Sequence, residues 1–485
     1  MHLEPRTPGP ALVWFRQDLR LADNPALFQA LANHSVVIPV YILSPEEEGD
    51  WPAGGATRWW LNQSLESLDR DLRVRGSQLV LRSGPALPEL QRLVAESGAT
   101  AVYWNRRYEP AITSRDQLVK TELRRGGLTV ESFNGSLLFE PWEVATKTGG
   151  PYQVFTPFWK ACLSKPTVSS PLDPPEAMGG PSQWLSTEAL GDWKLLPRLS
   201  WDAGFREDWS PGEAGAARHL ARFLKDAAST YREGRNAPGV AGTSRLSPHL
   251  HFGEISPRQV WEAIHTAFRG TPSEDARTFL SEIGWREFAY HILFHFPQTP
   301  TTPLRADFQR FTWETNSVHL RAWQRGLTGY PIVDAGMREL WTTGWMHNRV
   351  RMIVGSFLTK DLRISWTEGA RWFWDTLLDA DLASNTMGWQ WIGGCGADAA
   401  PYFRVFNPMT QGEKFDSEGT YVRRWVPEIA QLSNRSIHQP WTASSSELEH
   451  AGIVLGTTYP QPIVDHAEAR VQALAAFAKL KEPKR

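Results

Sequence analysis

The segments ALVWF (11–15) and SVVIPVYIL (35–43) decide the fold of the first part of this chain of 485 residues. Both are short and rich in β-branched and aromatic residues, which favour strands. Three further runs of this kind are SQLVLRSG (77–84), TAVYWN (100–105) and LTVESF (128–133). Helical periodicity separates the runs, near 24–33, 57–75, 86–97 and 113–125. The alternation predicts a parallel, Rossmann-like sheet with helices on both faces, and we assign this α/β domain to residues 1–135.

The rest of the chain has a different pattern. Residues 166–212 contain seven prolines and no long periodic run, and we place an interdomain linker at 136–212. From 213 to 485 helical periodicity dominates, which predicts an all-α domain. The stretch AARHLARFLKDAASTYREGRN (216–236) predicts one continuous helix.

Serines mark two helix starts in this second domain. Ser256 precedes Pro257, an arrangement typical of an N-cap followed by proline at the first helical position. Ser365 has Glu368 three residues later, the spacing of a capping box.

Composition limits the function classes. With 41% hydrophobic and 21% charged residues the chain is globular, and its apolar runs are shorter than a membrane span. The beginning, MHLEPRTPGP, lacks the apolar core of a signal peptide. Cys162 and Cys395 are the only cysteines, which excludes a disulfide framework and fits a reducing compartment. A net charge of −2 argues against a broadly basic protein but leaves a local basic groove open. We expect a monomeric, cytoplasmic protein that does not contact membranes.

Several segments carry residue types that bind ligands. GTSRLS (242–247) could surround a phosphate with backbone N–H groups and an arginine, or could be an ordinary helix start. In SEIGWREFAYHILFHF (281–296), Glu282, Trp285 and Arg286 share one helix face. They form either a site or a surface ion pair beside a core tryptophan. His291 and His295 lack a third ligand at metal-site spacing, so no metal is expected.

Two later segments place polar groups inside apolar surroundings. GWMHNRVRM (344–352) puts Asn348 and Met352 on one helix face, which predicts either a cavity lining or a structural polar cluster. In LLDADLASN (377–385), Asp379 and Asp381 need partners if they are buried, and Arg351 is the obvious candidate. A metal site there lacks a third carboxylate or histidine.

Together these segments resemble the DNA photolyase and cryptochrome family over nearly the whole chain. WFRQDLRLADNPAL (14–27) is similar to the family's N-terminal motif. The motifs similar to its flavin domain are TSRLSPHLHFGEISPRQVW (243–261), WREF (285–288), TGYPIVDAGMRELWTTGWMHNRVRM (328–352) and DLASNTMGWQWIGGCGADAAPYFRVFNP (381–408). The resemblance implies an antenna-chromophore domain followed by an all-α domain that binds FAD in a U shape.

The resemblance also implies which residues hold FAD. The residues expected at its diphosphate are Tyr231, Thr243, Ser244, Arg245, Leu246 and Ser247. Those expected around its ring, ribityl and adenine parts are Arg286, Asn348, Arg351, Asp379 and Asp381, with Asn385 facing the flavin N5. Among the 24 tryptophans, Trp389, Trp366 and Trp313 match the family's electron relay from the flavin to the surface.

The implied activity is light-driven repair of cyclobutane pyrimidine dimers in single- or double-stranded DNA. The residues expected at the dimer are Glu282, Trp285, Asn348, Met352 and Trp391, and those expected at phosphates are Arg235, Arg349 and Arg404. Six-four photolyases carry histidines where Asn348 and Met352 stand, and plant cryptochromes usually carry Asp in place of Asn385. The chain matches neither pattern, and we expect no long signalling tail after KLKEPKR (479–485).

The alternatives are a cryptochrome-type blue-light sensor and a flavin oxidoreductase. The second lacks support, since WFRQDLR stands where a nicotinamide-binding G-x-G-x-x-G would follow the first strand. NRRYEP (105–110), EPWEV (140–144) and YQVFTPFWKAC (152–162) resemble the photolyase branch nearest plant cryptochromes. Ile112 replaces the glutamate that holds folate in other bacterial enzymes. Methenyltetrahydrofolate in another pose, for example near Glu46, a deazaflavin or an empty antenna site therefore all remain open.

Overall fold

The computed structural model describes residues 9–165, 168–399 and 403–480. Residues 166–167 of the predicted linker lie outside this description. So do Ala400, Pro401 and Tyr402 of the last flavin-domain motif, and most of the KLKEPKR segment.

The N-terminal domain is built on one parallel sheet. Its strands are β1 (Ala11–Phe15), β2 (Val37–Leu43), β3 (Val80–Ser83), β4 (Ala101–Asn105) and β5 (Thr129–Phe133), in the order β3-β2-β1-β4-β5. Ala11 pairs with Val37 on one side and with Ala101 on the other. The strand order reverses at β1, so the loops after β1 and β4 leave a crevice at the carboxyl ends of these strands. The predicted α/β sheet is confirmed, including all five strands.

Alternating residues of β1 fill two separate cores. Ala11, Val13 and Phe15 lie in the core on one face of the sheet. Leu12 and Trp14 lie in the core on the other face. Helices cover both faces of the sheet. The side chains that point to either face of β1 are therefore apolar, and the strand has no polar face.

Twenty α-helices lie in the described ranges. They are α1 (Pro25–Asn33), α2 (Gly55–Val74), α3 (Ala86–Ser97), α4 (Pro110–Arg125), α5 (Phe155–Leu163), α6 (Ala203–Asp208), α7 (Glu213–Asp226), α8 (Tyr231–Gly234), α9 (Ser247–His251), α10 (Pro257–Ala267), α11 (Glu274–His295), α12 (Ser317–Gln324), α13 (Pro331–Thr343), α14 (Asn348–Ser356), α15 (Trp366–Thr376), α16 (Leu382–Gly393), α17 (Pro408–Phe415), α18 (Thr420–Trp425), α19 (Ser445–His450) and α20 (His466–Lys479). A π-helical turn, Phe357–Asp361, follows α14. None of these helices is long and apolar enough to span a membrane. The second domain is helical, as predicted.

The prediction of one helix over 216–236 was wrong. Helix α7 ends at Asp226, and Ala227 leaves helical geometry with φ −133° and ψ −21°. A 3₁₀ turn and the short α8 follow. Ser229 and Thr230 compete for backbone hydrogen bonds and weaken the helix. The break turns the Tyr231 ring onto Phe279, at 5.3 Å between centroids, so the core gains an aromatic contact.

Both predicted N-caps form, with one difference in detail. The Ser256 hydroxyl accepts from the Gln259 backbone N–H, and the Gln259 side chain accepts from Ser256 N–H, which completes a capping box. At α15 the predicted capping box with Glu368 does not form, because the Ser365 side chain accepts from Thr367 N–H instead.

Buried polar contacts join the two domains. The Trp60 indole N–H of α2 donates to Glu254 of the helical domain at 3.0 Å. The fully buried Arg20 donates to the Gly253 carbonyl at 2.9 Å. The chain after residue 168 runs along the sheet domain, where Glu188 N–H donates to Leu81 of the edge strand at 3.0 Å. The domains therefore meet over fixed contacts.

Candidate functional site

The helical domain contains one large cavity of about 550 Å³, within the usual size range of cofactor sites. Helices α11, α14, α15 and α16 supply most of its walls. The lining residues are Arg235, Asn236, Ser247, Glu282, Trp285, Arg286, Asn348, Arg349, Arg351, Met352, Phe373, Leu377, Asp379, Ser384, Asn385, Met387, Gly388, Trp389, Trp391, Ile392 and Asp398. Four of these are arginines and three are acidic, so the cavity can hold an anionic ligand and still offer hydrogen-bond acceptors.

Helix α16 contributes the longest wall of the cavity. Asp381 caps the helix by accepting from Ser384 N–H at 2.7 Å. Asn385, Gly388 and Ile392 follow at spacings of three and four, which places them on one face. The Asn385 amide donates to the Ala370 carbonyl at 3.0 Å, which fixes its orientation.

Gly388 leaves open space at this wall. A Cβ built on Gly388 meets nothing within 4 Å, although the residue lies on the cavity. The open volume is the kind of gap that a flat cofactor ring fills. A side chain at this position would enter the same space.

Gly369 positions the Trp389 ring, and sequence reasoning missed it. Trp389 is buried and packs edge-to-face on Phe373, with centroids 4.9 Å apart. A Cβ on Gly369 would lie 2.1 Å from the indole. The signal in the sequence is a glycine inside the helical segment 366–376, where it costs helix stability unless close packing requires it.

Asp379 lies on the cavity and is paired as predicted. Its Oδ2 accepts from Arg351 at 2.8 Å. The Arg351 Nε also donates to the Met346 carbonyl at 2.7 Å, which holds the guanidinium in place. Asp379 Oδ1 is buried and has no hydrogen-bond partner among the residues that the structure describes. A buried oxygen without a partner costs free energy. We therefore expect a bound ligand to donate a hydrogen bond to it.

Asp381 lies off the cavity. It accepts a hydrogen bond from the Tyr290 hydroxyl, and His251 Nδ1 lies 3.8 Å from Oδ2. Burial raises the pKa of Asp381, but His251, the charge of Arg286 and the Tyr290 hydroxyl together outweigh burial, and the pKa is lowered. Asp381 therefore remains an anion that ties α16 to α9 and α11.

Glu282 and Arg235 form an ion pair on the cavity wall, with 2.5 Å between Oε1 and Nη1. Burial raises the pKa of the Glu282 carboxyl, and Arg235 opposes that shift. The acid form of Glu282, which can donate a hydrogen bond, is thus more accessible than for a solvated glutamate.

Trp285 is held in place by a stacked partner. The Phe155 ring of α5 lies parallel to the indole at 3.8 Å, with 10° between the planes. Trp391 donates its indole N–H to the Asp398 carbonyl at 3.1 Å. Both tryptophans are oriented before any ligand binds.

Helix α14 begins next to the cavity. His347 Nδ1 accepts from Arg349 N–H at 3.2 Å and caps the helix. The Arg349 guanidinium donates to Asn236 at 2.6 Å and lies 4.3 Å over the Phe415 ring. Burial, together with the charge of Arg235, lowers the pKa of Arg349. An anion bound between these two arginines would relieve their repulsion.

Of the residues expected at the diphosphate, only the last one in the sequence lines the cavity. Of the segment 243–247, Ser247 lines it and accepts from the Trp345 indole N–H at 3.2 Å. The Arg245 guanidinium lies 4.2 Å from the centroid of Trp209 and 5.1 Å from that of Trp345. The expected residues that lie off the cavity lining are Tyr231, Thr243, Ser244, Arg245, Leu246, Asp381 and Arg404.

The expected relay tryptophans share one core. Trp366 and Trp389 are both buried in it, and Trp313 packs against it in a half-buried position. Trp313 lies 4.5 Å from the Phe311 ring, measured between centroids. Trp389 and Trp366 are equally buried, at 3% exposure each, and Trp313 is more exposed, as the surface end of a route requires.

The cavity also has lining residues that were not predicted. They are Asn236, Phe373, Leu377, Ser384, Met387, Gly388, Ile392 and Asp398. Ser384, Met387 and Gly388 surround Asn385 within one helical turn, so the predicted helix face would have found them. Asp398 arrives through a loop, where its backbone N–H donates to Gln153 at 3.0 Å. These two residues are far apart in the sequence, so no local sequence pattern predicts that Asp398 reaches the cavity.

Comparison with known proteins identifies the family. Residues 11–177 match the family model described as DNA photolyase, and residues 279–479 match the FAD binding domain of DNA photolyase. The chain belongs to the DNA photolyase and cryptochrome family. Its helical domain is an FAD-binding domain, as the motifs predicted.

The relatives cover both branches of this family. The chain is 51% identical over 475 residues to the deoxyribodipyrimidine photo-lyase of Agrobacterium fabrum, covering 98% of each chain. A bacterial class III photolyase from Agrobacterium tumefaciens superposes with a TM-score of 0.95 at 50% identity, covering 99% of each chain. Cryptochrome-1 of Arabidopsis thaliana is 41% identical, covering 97% of this chain and 70% of the plant protein. These matches confirm the expectation of a photolyase-type enzyme.

The residues of the cavity fit FAD. Asp379 offers a buried, unpaired acceptor, Gly388 leaves open space, and four arginines line the walls. These are the groups that hydroxyls, a flat ring system and a diphosphate need.

Proposed function

We propose that the protein repairs cyclobutane pyrimidine dimers in DNA by light-driven electron transfer. One observation carries the proposal. The residues expected at the dimer (Glu282, Trp285, Met352 and Trp391) and those expected at the flavin (Asp379 and Asn385) line one continuous cavity. A ligand at either set would therefore lie next to a ligand at the other.

The flavin would lie against α14 and α16. Arg351, Asp379 and Asn385 would hold it, and Gly388 would let it approach the helix backbone. When bound and reduced, FAD supplies an electron on excitation by light. The protein's contribution is to exclude water and to fix the ring beside the substrate.

The dimer would enter the same cavity from the DNA duplex. A damaged, poorly stacked base pair is flipped out at lower cost than an intact one. Trp285 and Trp391 would form its apolar walls, with Asn348 and Met352 beneath it. Arg235, Arg349 and Arg404 would contact phosphates, which gives a local basic surface on a protein with a net charge of −2.

Glu282 would act as the hydrogen-bond donor to the dimer. Its raised pKa favours the acid form, which can donate to a carbonyl oxygen that gains negative charge. Binding of a phosphate would draw Arg235 away from Glu282 and favour this form further.

The tryptophan series would resupply electrons to oxidised FAD. Trp389 would be the nearest donor, Trp366 the middle one and Trp313 the exposed one. Their shared core and the greater exposure of Trp313 support its place as the exposed end of the series.

An antenna chromophore would lie between the domains. A pocket of about 60 Å³ there, which admits only part of such a molecule, is lined by Tyr41, Glu48, Trp51 and Arg107 on one side and Trp374 on the other. Ile112 lines it, whereas Glu46 is exposed on a 3₁₀ turn. We propose methenyltetrahydrofolate there, with a deazaflavin as the alternative. Chromatography of the chromophores released from purified protein would distinguish them.

The direct test is a repair assay. Chemically reduced protein is mixed with an oligonucleotide that contains one thymine dimer and is exposed to blue light. We expect intact thymines to appear under light and not in the dark. Size-exclusion chromatography and cell fractionation test the monomeric state and the cytoplasmic location that the proposal includes.

The similarity to a plant cryptochrome favours one alternative, a blue-light sensor. A sensor need not distinguish damaged DNA from undamaged DNA. Equal affinity of the wild-type protein for both DNAs, together with no repair under light, would reject the photolyase proposal and favour the sensor.

A further inference from the structure

A second, smaller pocket lies behind the Trp391 wall. Its volume is about 30 Å³, enough for about two water-sized groups, since one needs at least about 10–15 Å³. Met352 and Trp391 line both this pocket and the large cavity. Its polar lining consists of Arg305, Ser356, Lys360 and Arg404. Three cationic side chains thus meet at one small opening beside the proposed dimer wall.

Lys360 forms the buried end of this pocket. The residue is 1% exposed and belongs to the π-helical turn Phe357–Asp361, an irregularity that is frequent at functional sites. Its Nζ donates to the Ile392 carbonyl at 2.8 Å and lies 3.8 Å from the Phe403 ring centroid. An ammonium has three protons to donate, and this contact uses one of them.

The groups around Lys360 do not neutralise it. Burial lowers the pKa of Lys360 to about 7, against the opposing effects of Cys395 and Asp361. Burial also raises the pKa of the Cys395 thiol to about 12, so it stays neutral. Asp361 is already paired with His466, at 2.5 Å. Arg305, whose side chain is exposed and donates to the Gly394 carbonyl, adds positive charge at the rim, as does Arg404.

We propose that this pocket binds one backbone phosphate of the strand that carries the dimer, with Lys360 and Arg305 acting beside Arg404. The inference rests on the proposed function, because a strand with its dimer in the large cavity must pass Trp391. Phosphate oxygens are about the size of the two groups that the pocket admits. Charge-assisted contacts to an anion would use the protons of the Lys360 ammonium that the Ile392 carbonyl does not accept.

Phosphate binding in this pocket is linked to the protonation of Lys360. In the free protein Lys360 loses its proton as pH rises through about 7. A bound phosphate favours the ammonium and raises that pKa, so binding above about pH 7 takes up a proton. The contribution of Lys360 to the affinity for dimer-containing DNA should then fall by up to about tenfold per pH unit above pH 7, and stay level below it.

The experiment is a binding titration between about pH 6 and 9 with a duplex that contains one thymine dimer. Lys360→Met removes the charge at similar volume and should remove the part of the wild-type pH slope that Lys360 contributes above about pH 7. Lys360→Arg stays charged at every pH and should remove the slope while keeping the affinity. Lys225→Met, an exposed lysine on α7, serves as the control and should keep the wild-type slope. FAD content and melting temperature show whether each variant folds.

A second measurement identifies the ligand as a phosphate. Neutral methylphosphonates replace the phosphates next to the dimer, one at a time. At one position the wild type should lose its pH slope, and Lys360→Met should lose no further affinity there. If every position leaves the slope unchanged, or if wild type and Lys360→Met have equal slopes while repair persists, the pocket inference is wrong and the proposed function stands. Loss of dimer binding and repair by the wild type itself would instead refute the proposed function.

Discussion

At the scale of the single residue, the burial of Glu282 affects its protonation and, through it, the expected repair yield. Its pKa is raised by burial, so its acid form is lost only as pH rises above the range of a solvated glutamate. We expect the repair yield per absorbed photon, at saturating DNA, to fall as pH rises. Glu282→Gln donates a hydrogen bond at every pH and should give a flat profile, whereas Glu282→Ala should be low throughout. A Gln variant with the wild-type slope would show that another group titrates.

Trp389 tests the electron relay. Trp389→Phe keeps an aromatic ring next to Phe373 but removes the most easily oxidised side chain beside the flavin. Light-driven reduction of oxidised FAD in the presence of thiol should largely stop, as measured by visible absorption. Repair by chemically reduced protein should continue, since that electron starts on the flavin. Persistence of both activities would contradict the relay, and Trp323→Phe is a matched control in the same core.

Trp285 tests the dimer wall. Trp285→Ala should remove base–aromatic stacking worth about 1–3 kcal/mol, so the affinity for dimer-containing DNA should fall by about one to two orders of magnitude. Affinity for undamaged DNA depends on phosphates and should change little. A titration with both DNAs measures the two effects. An equal loss for both would mean that the variant disturbs the fold, because Phe155 loses its stacking partner.

At the scale of the element, the surroundings of α16 depend on two glycines. Replacing each of them should have a different effect on stability and on FAD binding. Gly388→Ala adds a methyl group where the protein leaves open space, and alanine favours a helix interior by about 0.5–1 kcal/mol over glycine, so stability without FAD should rise slightly while FAD affinity falls. Gly369→Ala on α15 forces the Trp389 ring to move and should lower the melting temperature with or without FAD. Thermal unfolding of FAD-free and FAD-loaded protein measures both. Equal behaviour of the two variants would contradict this placement of the flavin.

Elements with a strong local pattern were predictable from the sequence. β1 begins and ends where the apolar run ALVWF does, because both faces of that strand are buried. The helix over 216–236 was not predictable, because the break at Ala227 is stabilised by the packing of Tyr231 against Phe279, a tertiary contact. The π-helical turn at Lys360 likewise has no local signal, since it depends on the buried partners of that turn.

At the scale of the whole molecule, the site depends on contacts between distant segments. The pairing of Arg351 with Asp379 could be anticipated, because two buried charges of opposite sign need each other. The ion pair of Glu282 with Arg235 and the contact of Asp398 with the Trp391 indole could not. They depend on where loops return, and the residue types alone allow many partners. The family motifs listed the site residues, whereas the arrangement into one cavity required the fold.

The central claim is that flavin and dimer occupy this one cavity in contact. The most direct measurement is the fluorescence of reduced FAD in the wild-type protein, titrated with matched oligonucleotides that contain or lack one thymine dimer. Electron transfer to a dimer in contact competes with emission, so the dimer should quench the fluorescence and undamaged DNA should not. Unchanged fluorescence at a dimer concentration that saturates binding would contradict the account.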